Sequence, residues 1–110
     1  MATDFVIYHN PRCSKSRQAL EILRQHGIEP TVIEYLKTPP EAKTLRSLGL
    51  PARAILRENE DEAAALTPGM SDAELFAAIA RQPILLQRPI VVRGKRAIVA
   101  RPPECVNELL

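Results

Sequence analysis

Apolar and polar positions follow two different spacings in the first third of the chain. Residues 4–8 (DFVIY) form a short β-branched and aromatic run that predicts a buried strand ending before Pro11. From Ser14 onward, apolar residues recur at helical intervals up to His26-Gly27, a typical helix stop. Residues 31–36 predict a second strand. A strand, a helix and a strand in such close succession predict a right-handed βαβ unit with parallel strands.

The middle of the chain predicts helices. In Thr38-Pro39-Pro40-Glu41, a capping residue precedes proline at the first helical position and glutamate three residues on, which predicts a helix over residues 41–48. A second short helix is predicted from Pro51 to residue 57. The sequence Ser71-Asp72-Ala73-Glu74 repeats the capping-box pattern and predicts the start of a third helix.

The last quarter of the chain predicts a β-hairpin followed by a short helix. Residues 90–92 and 96–100 are apolar runs joined by a turn at Gly94-Lys95, and Pro102-Pro103-Glu104 precedes the final helix. The order βαβ, helices, ββα predicts an α/β fold with a small mixed sheet. Its helical insertion would lie between the second and third strands.

Composition narrows the function classes. The 110 residues are 45% hydrophobic and 25% charged, which fits one globular domain over residues 1–110. No apolar run approaches the about 20 residues of a membrane helix, and no leader pattern stands at the start, so a cytoplasmic protein is expected. A net charge of +2 and four aromatic residues argue against nucleic-acid binding. The acidic residues 58–62 (ENEDE) predict a solvated helix start rather than a metal site.

The two cysteines, Cys13 and Cys105, cannot form a disulfide scaffold of the small secreted kind. Cys13 stands where the first strand gives way to the first helix, and the unpaired N–H groups of a helix N-terminus favour thiolate. His9 and Arg17 lie four residues to either side of it. This predicts a nucleophile beside an anion site, with a buried structural cysteine as the alternative. Cys105, in the predicted terminal helix, is expected to pack in the core.

Counting from Cys13 excludes two familiar thiol enzymes. A low-molecular-weight phosphatase loop needs arginine six residues after its cysteine, where this chain has Ala19. A dithiol thioredoxin motif needs a second cysteine three residues on, where this chain has Ser16. An oxidised intermediate on Cys13 would therefore need an external thiol for its release.

Residues 8–17 (YHNPRCSKSR) resemble the active-site segment of glutaredoxin-coupled arsenate reductases. The sequence of this segment most resembles a shorter subgroup of that family, described as arsenate-reductase-like. Four further segments resemble family blocks in family order: residues 52–59 (ARAILREN), 82–85 (QPIL), 88–92 (RPIVV) and 101–104 (RPPE). The resemblance covers nearly the whole chain and implies a thioredoxin-like fold.

The resemblance also implies roles for individual residues. Cys13 would be the nucleophile, and His9 would help to lower the pKa of its thiol. Arg17 is also assigned to catalysis. Five residues are assigned to substrate binding: Ser14, Ser16, Arg57, Arg88 and Arg101. Guanidinium groups suit this role because they bind tetrahedral oxyanions through paired hydrogen bonds. Arg88-Pro89 matches the position of a cis proline in thioredoxin-like folds, and the sequence permits either isomer.

The implied reaction is the reduction of arsenate to arsenite with glutathione as co-substrate and glutaredoxin as partner. No bound cofactor and no metal are expected. Two other functions remain open. One is a monothiol, glutathione-dependent thiol-disulfide oxidoreductase that uses Cys13 and Ser16 as a C-x-x-S site. The other is an Spx-type regulator that binds RNA polymerase, against which Ser16 counts because those proteins usually carry a second cysteine there.

Overall fold

The computed structural model describes residues 4–57 and 69–110, which contain one four-stranded mixed sheet. The strands are β1 (Phe5–His9), β2 (Thr31–Glu34), β3 (Ile90–Arg93) and β4 (Arg96–Val99), in the order β2-β1-β3-β4. β1 pairs parallel with β2 and antiparallel with β3, and β3 pairs antiparallel with β4. The predicted α/β fold with a parallel βαβ unit and a C-terminal hairpin is confirmed.

Three α-helices and three short 3₁₀ segments accompany the sheet in the described residues. The helices are α1 (Ser14–Gln25), α2 (Ala42–Arg46) and α3 (Asp72–Arg81), of which α2 and α3 fall between β2 and β3 in the chain. The 3₁₀ segments are Ala52–Ala54, Pro83–Leu85 and Pro103–Leu109.

The alternation of side chains along β1 divides the core into two clusters. Phe5 and Ile7 point to one face, where they pack with Leu23 of α1 and with Leu109 of the C-terminal 3₁₀ segment. Tyr8 points to the other face. There it belongs to a cluster with residues of α2, α3 and neighbouring segments, among them Leu45, Tyr35, Leu75 and Ile79. Each face of the sheet is thus covered by helical structure, and β1 lies at the centre.

The start of α2 differs from its prediction. Thr38 does not cap this helix; the cap position is Glu41, whose side chain makes no capping hydrogen bond. Because a residue before proline avoids the helical region, Pro39 cannot enter the helix ahead of Pro40, and the helix begins only after both prolines. The turn at the end of β2, where Lys37 and Thr38 donate backbone N–H groups to Glu34, likewise ends that strand earlier than predicted.

Other boundaries follow the sequence more closely. The capping box at α3 is present: the Glu74 backbone N–H donates to Ser71 Oγ at 3.2 Å, and the Ser71 N–H donates to Glu74 Oε1 at 3.0 Å. The predicted helix after Pro51 is shorter, covering Ala52–Ala54, and the C-terminal helix is 3₁₀. The helix start predicted at residues 58–62 lies outside the described residues. None of the helices in the described ranges has the length and apolar character needed to cross a membrane.

Candidate active site

Cys13 occupies the cap position at the N-terminus of α1. Its backbone is extended, with φ −92° and ψ 122°, and its N–H donates to the Asn10 carbonyl at 3.0 Å, which closes the turn after β1. Its own carbonyl accepts the first helical hydrogen bond, from Arg17 N–H at 3.0 Å. The half-buried thiol therefore lies beside backbone N–H groups that the helix leaves without carbonyl partners.

These surroundings lower the pKa of the Cys13 thiol. Burial raises the pKa, but hydrogen bonds from the Ser16 N–H, the Arg88 side chain and the Lys15 N–H lower it, and so does the positive charge of Arg88. The net direction is downward. All of these donors stabilise the thiolate more than the thiol, which is the condition for a nucleophile at neutral pH.

The pairing register of the sheet explains how Arg88 reaches Cys13. The last paired positions at this edge are His9 with Glu34, Tyr8 with Ile90, and Ile90 with Val99. Continuing each register by one or two residues gives a row of four residues across the sheet edge, from β2 to β4: Tyr35, Asn10, Arg88 and Arg101. This row, called the edge row below, lies where the β1–α1 turn carries Cys13.

Direct contacts tie the arginines of the edge row together. Arg101 Nη1 donates to the Arg88 carbonyl at 2.9 Å, and the Ala100 N–H donates to the Pro89 carbonyl at 2.9 Å. The peptide bonds before Pro89 and Pro102 are both cis, so the isomer that the sequence left open at Pro89 is cis. Arg88 is half-buried and hydrogen-bonds to Cys13, whereas Arg101 is exposed.

Arg57 reaches this region by a different route. Its N–H donates to the Leu85 carbonyl at 2.6 Å, and the Gln87 N–H donates to the Ile55 carbonyl at 2.7 Å. These bonds flank an antiparallel bridge between Leu56 and Leu86. The half-buried Arg57 is thereby fixed beside the segment that leads into Arg88.

His9 is bonded to Ser16. Its Nδ1 lies 2.6 Å from Ser16 Oγ, which also accepts the Asn10 N–H at 3.1 Å, and the Ser16 side chain is fully buried. Burial lowers the pKa of His9; Glu34 opposes this, and Arg24 and Arg17 add to it. The imidazole is therefore neutral at neutral pH. Because Ser16 Oγ already accepts from Asn10, this network favours its hydroxyl as the donor to Nδ1.

Arg17 and Ser14 lie on the exposed side of this network. Arg17 Nη1 is 3.5 Å from the Pro11 carbonyl, at the limit of a hydrogen bond, and Ser14 is the first residue of α1. Among the predicted site residues, the structure brings Cys13, Ser16 and Arg88 together. The roles predicted for His9, Arg17 and Ser14 stay predictions.

Two residues of the edge row were missed at the sequence level. Tyr35 is fully buried, and the Arg88 and Asn10 side chains lie beside its hydroxyl. Asn10 accepts the Arg12 N–H on Oδ1 at 3.0 Å, which shapes the turn before Cys13. The sequence marks Tyr35 only as a strand residue, and the register that aligns it with Arg88 becomes visible only in the sheet.

Within the part of the chain that the structure describes, neither the second cysteine nor the acidic side chains form a further site. Cys105 is half-buried and carries a free thiol at the start of the C-terminal 3₁₀ segment. Within residues 4–57 and 69–110, no three His, Cys, Asp or Glu side chains gather where they could hold a metal ion.

A cysteine with a lowered thiol pKa at a helix N-terminus, next to an arginine that precedes a cis proline in a mixed sheet, is typical of the thioredoxin-like fold. The chain belongs to the ArsC family, whose model matches residues 8–109. It is 43% identical over 118 residues to the uncharacterised protein YfgD of Escherichia coli (strain K12), covering 100% of this chain and 99% of that protein.

Proteins that carry an enzyme name are similarly close. The chain is 42% identical over 115 residues to an arsenate reductase of Yersinia enterocolitica, covering 98% of this chain and 82% of that enzyme. The solved structure of an arsenate reductase from Vibrio cholerae superimposes with a TM-score of 0.92 at 46% identity, covering 100% of both chains.

Proposed function

We propose that this protein reduces arsenate to arsenite through a covalent intermediate on Cys13. The observation that carries the proposal is the hydrogen bond from the Arg88 side chain to the Cys13 thiol at the start of α1. The Arg88 guanidinium, which can bind an anion, is thus in contact with the Cys13 sulfur, which can attack it. The names of the relatives from Yersinia enterocolitica and Vibrio cholerae support the choice of arsenate.

The first step is the attack of the Cys13 thiolate on arsenic. A sulfur–arsenic bond forms, and one arsenate oxygen leaves as hydroxide, taking up a proton to become water. In this proposal, Arg57, Arg88 and Arg101 bind the remaining oxygens, and the backbone N–H groups of Ser14 and Ser16 complete the cradle at the helix N-terminus. The oxidation state of arsenic does not change in this step.

The second part of the cycle needs external thiols, since Ser16 stands where a resolving cysteine would be. Glutathione replaces a second arsenic-bound oxygen, which leaves as water. The glutaredoxin thiolate then attacks the glutathione sulfur and forms a mixed disulfide. The electron pair of the broken sulfur–arsenic bond stays on arsenic, which becomes arsenic(III). Hydrolysis from Cys13 releases arsenite. Such chemistry fits a reducing compartment, and we assign the protein to the cytoplasm on that ground.

A coupled assay tests this proposal. Arsenate, glutathione, glutaredoxin, glutathione reductase and NADPH are mixed with wild-type protein, Cys13→Ser or Cys105→Ser. We expect NADPH oxidation with wild type and Cys105→Ser, and none above background with Cys13→Ser. Folded wild-type protein without arsenate-dependent turnover would contradict the proposal.

The assay is paired with mass spectrometry of Cys13. An arsenic-containing adduct that requires arsenate supports arsenate reduction. A glutathione adduct that forms equally well without arsenate would favour the monothiol thiol-disulfide oxidoreductase, for which the Cys13–Ser16 spacing is the structural argument.

A further inference from the structure

We propose that Tyr35 is a further substrate-binding residue, whose buried hydroxyl donates a hydrogen bond to an oxygen of the oxyanion bound at Cys13. The inference rests on the oxyanion chemistry proposed above and adds a neutral donor to a site otherwise made of arginines and backbone N–H groups.

The position of Tyr35 follows from the sheet. β1 and β2 run parallel with His9 opposite Glu34, so Asn10 and Tyr35 are the next residues at the carboxyl ends of these strands. Arg88 continues the same edge row from β3. The carboxyl ends of adjacent parallel strands are where α/β sheets usually hold their ligands, and here the turn with Cys13 begins at the same edge.

The Tyr35 hydroxyl is buried, and the Asn10 and Arg88 side chains that lie beside it act on its oxygen as donors. The side chain has 0% exposure, and within the described residues its hydroxyl proton has no acceptor. Such groups are rare in folded proteins because a buried hydroxyl proton without an acceptor is costly. An oxyanion at the neighbouring site would supply the missing acceptor.

The neighbours of the hydroxyl leave its proton available. The Arg88 guanidinium carries only N–H donors, so it can approach the phenol oxygen but cannot accept the phenol proton. The Asn10 side chain also acts on the phenol oxygen as a donor, because its hydrogen bond lowers the pKa of Tyr35, and its Oδ1 accepts the Arg12 N–H. Burial raises the pKa of Tyr35, with Arg88 and Asn10 opposing this effect and the charge of Cys13 adding to it, so the phenol keeps its proton at neutral pH.

Protection of Cys13 from alkylation measures anion binding without turnover. In a Cys105→Ser background, Cys13 is the only thiol, and arsenate at increasing concentrations slows its reaction with iodoacetamide. We expect Tyr35→Phe to need about 10–100 times more arsenate for half-protection, the range for losing one hydrogen bond to a charged group. The matched control is Tyr8→Phe, which removes the hydroxyl of the other tyrosine, on β1, and should bind arsenate as the parent protein does.

The pH profile of alkylation without arsenate separates a donor from a positioning residue. If Tyr35 donates to the anion, Tyr35→Phe leaves the apparent pKa of the Cys13 thiol where the parent has it. A pKa that rises in Tyr35→Phe, with weaker protection to match, would show that Tyr35 acts by positioning Arg88. That result would overturn the proposal.

A spectroscopic readout covers the case in which Tyr35→Phe fails to fold. The chain has two tyrosines and no tryptophan, so Tyr35 is the only tyrosine left in Tyr8→Phe. Saturating arsenate should then produce a tyrosine difference absorption spectrum from a new hydrogen bond. Protection of Cys13 with no tyrosine signal would overturn the proposal.

These measurements separate the inference from the proposed function. Arsenate binding that depends on Tyr35, in a protein without arsenate turnover, would support the inference and contradict the reductase proposal. Arsenate turnover by the wild-type protein, with unchanged arsenate binding in Tyr35→Phe, would support the reductase proposal and contradict the inference. Wild-type protein in which arsenate gives no protection of Cys13 would contradict both.

Discussion

The two ends of the β3–β4 hairpin each carry a pair of arginines, in very different surroundings. At the turn, Arg93 and Arg96 face each other in the register, and at the opposite end Arg88 and Arg101 hold the corresponding positions in the edge row. The residue type is the same at both ends, although Arg93 and Arg96 are paired within the strands and Arg88 and Arg101 lie two residues beyond the ends of β3 and β4. The contacts of the guanidinium groups differ as well.

At the turn, the arginines bind the protein's own surface. Arg93 donates to the Leu109 carbonyl at 2.5 Å, lies 3.8 Å from the Asp4 carboxylate, and stands over the Phe5 ring at 5.1 Å from its centroid. Arg96 donates to the Glu108 carbonyl at 3.2 Å. These contacts fasten the C-terminal segment to the sheet.

At the edge row, by contrast, Arg88 hydrogen-bonds to a thiol that changes charge. The Arg88 carbonyl accepts a hydrogen bond from the Arg101 side chain, so the backbone of Arg88 orients Arg101. An arginine pair therefore becomes an anion site through the groups that lie next to it. Here the neighbours are a helix N-terminus and a cysteine in place of a carboxylate and chain-end carbonyls.

The largest expected effect comes from exchanging arginine for lysine at each end. Arg88→Lys keeps the charge but loses the planar fork that binds two oxygens, and we expect arsenate kcat/KM to fall by about 100-fold. Arg93→Lys should leave kcat/KM within about two-fold, because Arg93 is a structural contact in this account. Steady-state kinetics of the coupled reaction measures both. Equal losses at the two ends would contradict the comparison.

A smaller effect is expected from the second arginine of each pair. Arg101→Ala removes a donor to the Arg88 carbonyl and one cation at the site, and we expect KM for arsenate to rise by about 10-fold, as for loss of one charged hydrogen bond. Arg96→Ala is the control at the turn, with KM unchanged. A rise of KM in both variants would indicate that net charge alone governs arsenate binding.

Stability should respond in the opposite order. Arg93→Ala removes the bond to Leu109 and the ring contact with Phe5, and we expect a loss of about 1–2 kcal/mol in the free energy of unfolding. Arg101→Ala, on an exposed residue, should cost about 0.5 kcal/mol or less. Urea denaturation followed by circular dichroism gives both values. An Arg101→Ala loss as large as that of Arg93→Ala would mean that the edge row is mainly structural.

The smallest effect concerns the pH dependence of stability through His9. Its folded-state pKa is lowered, chiefly by burial, so as the pH falls below the ordinary histidine value the unfolded chain takes up a proton first. The free energy of unfolding therefore decreases as the pH decreases, until His9 is protonated in the folded protein as well. His9→Gln should flatten this slope, and His26→Gln, at the exposed second histidine, should keep it. The measurement is denaturation at several pH values between 5 and 8. If His9→Gln keeps the same dependence of the free energy of unfolding on pH, His9 is not the group responsible.

Much of this arrangement could be predicted from the sequence. The β-branched runs, the turn at Gly94 and the capping box at Ser71 each act over a few residues, and the structure has the elements they predict. Cys13 was found because a strand–turn–helix boundary is also local. The predicted start of α2 was wrong because two adjacent prolines delay the helix, even where the sequence has a capping pattern.

The edge row could not be predicted in the same way. Tyr35 and Asn10 are 25 positions apart, like the paired residues Val6 and Thr31, and they become neighbours only through the register of β1 with β2. The resemblance singled out Arg88 and Arg101, but their order across the edge depends on β3 and β4 as well. Single-residue patterns carry no information on such pairings, since tertiary structure sets them.

Activation of the Cys13 thiol by Arg88 of the edge row is open to a direct test. The direct test is the pH dependence of iodoacetamide alkylation of Cys13 in a Cys105→Ser background, compared with Arg88→Ala and Arg93→Ala. We expect an apparent thiol pKa below that of a free cysteine, raised by Arg88→Ala and unchanged by Arg93→Ala. A parent pKa at or above the free value, or the same shift in both variants, would contradict it.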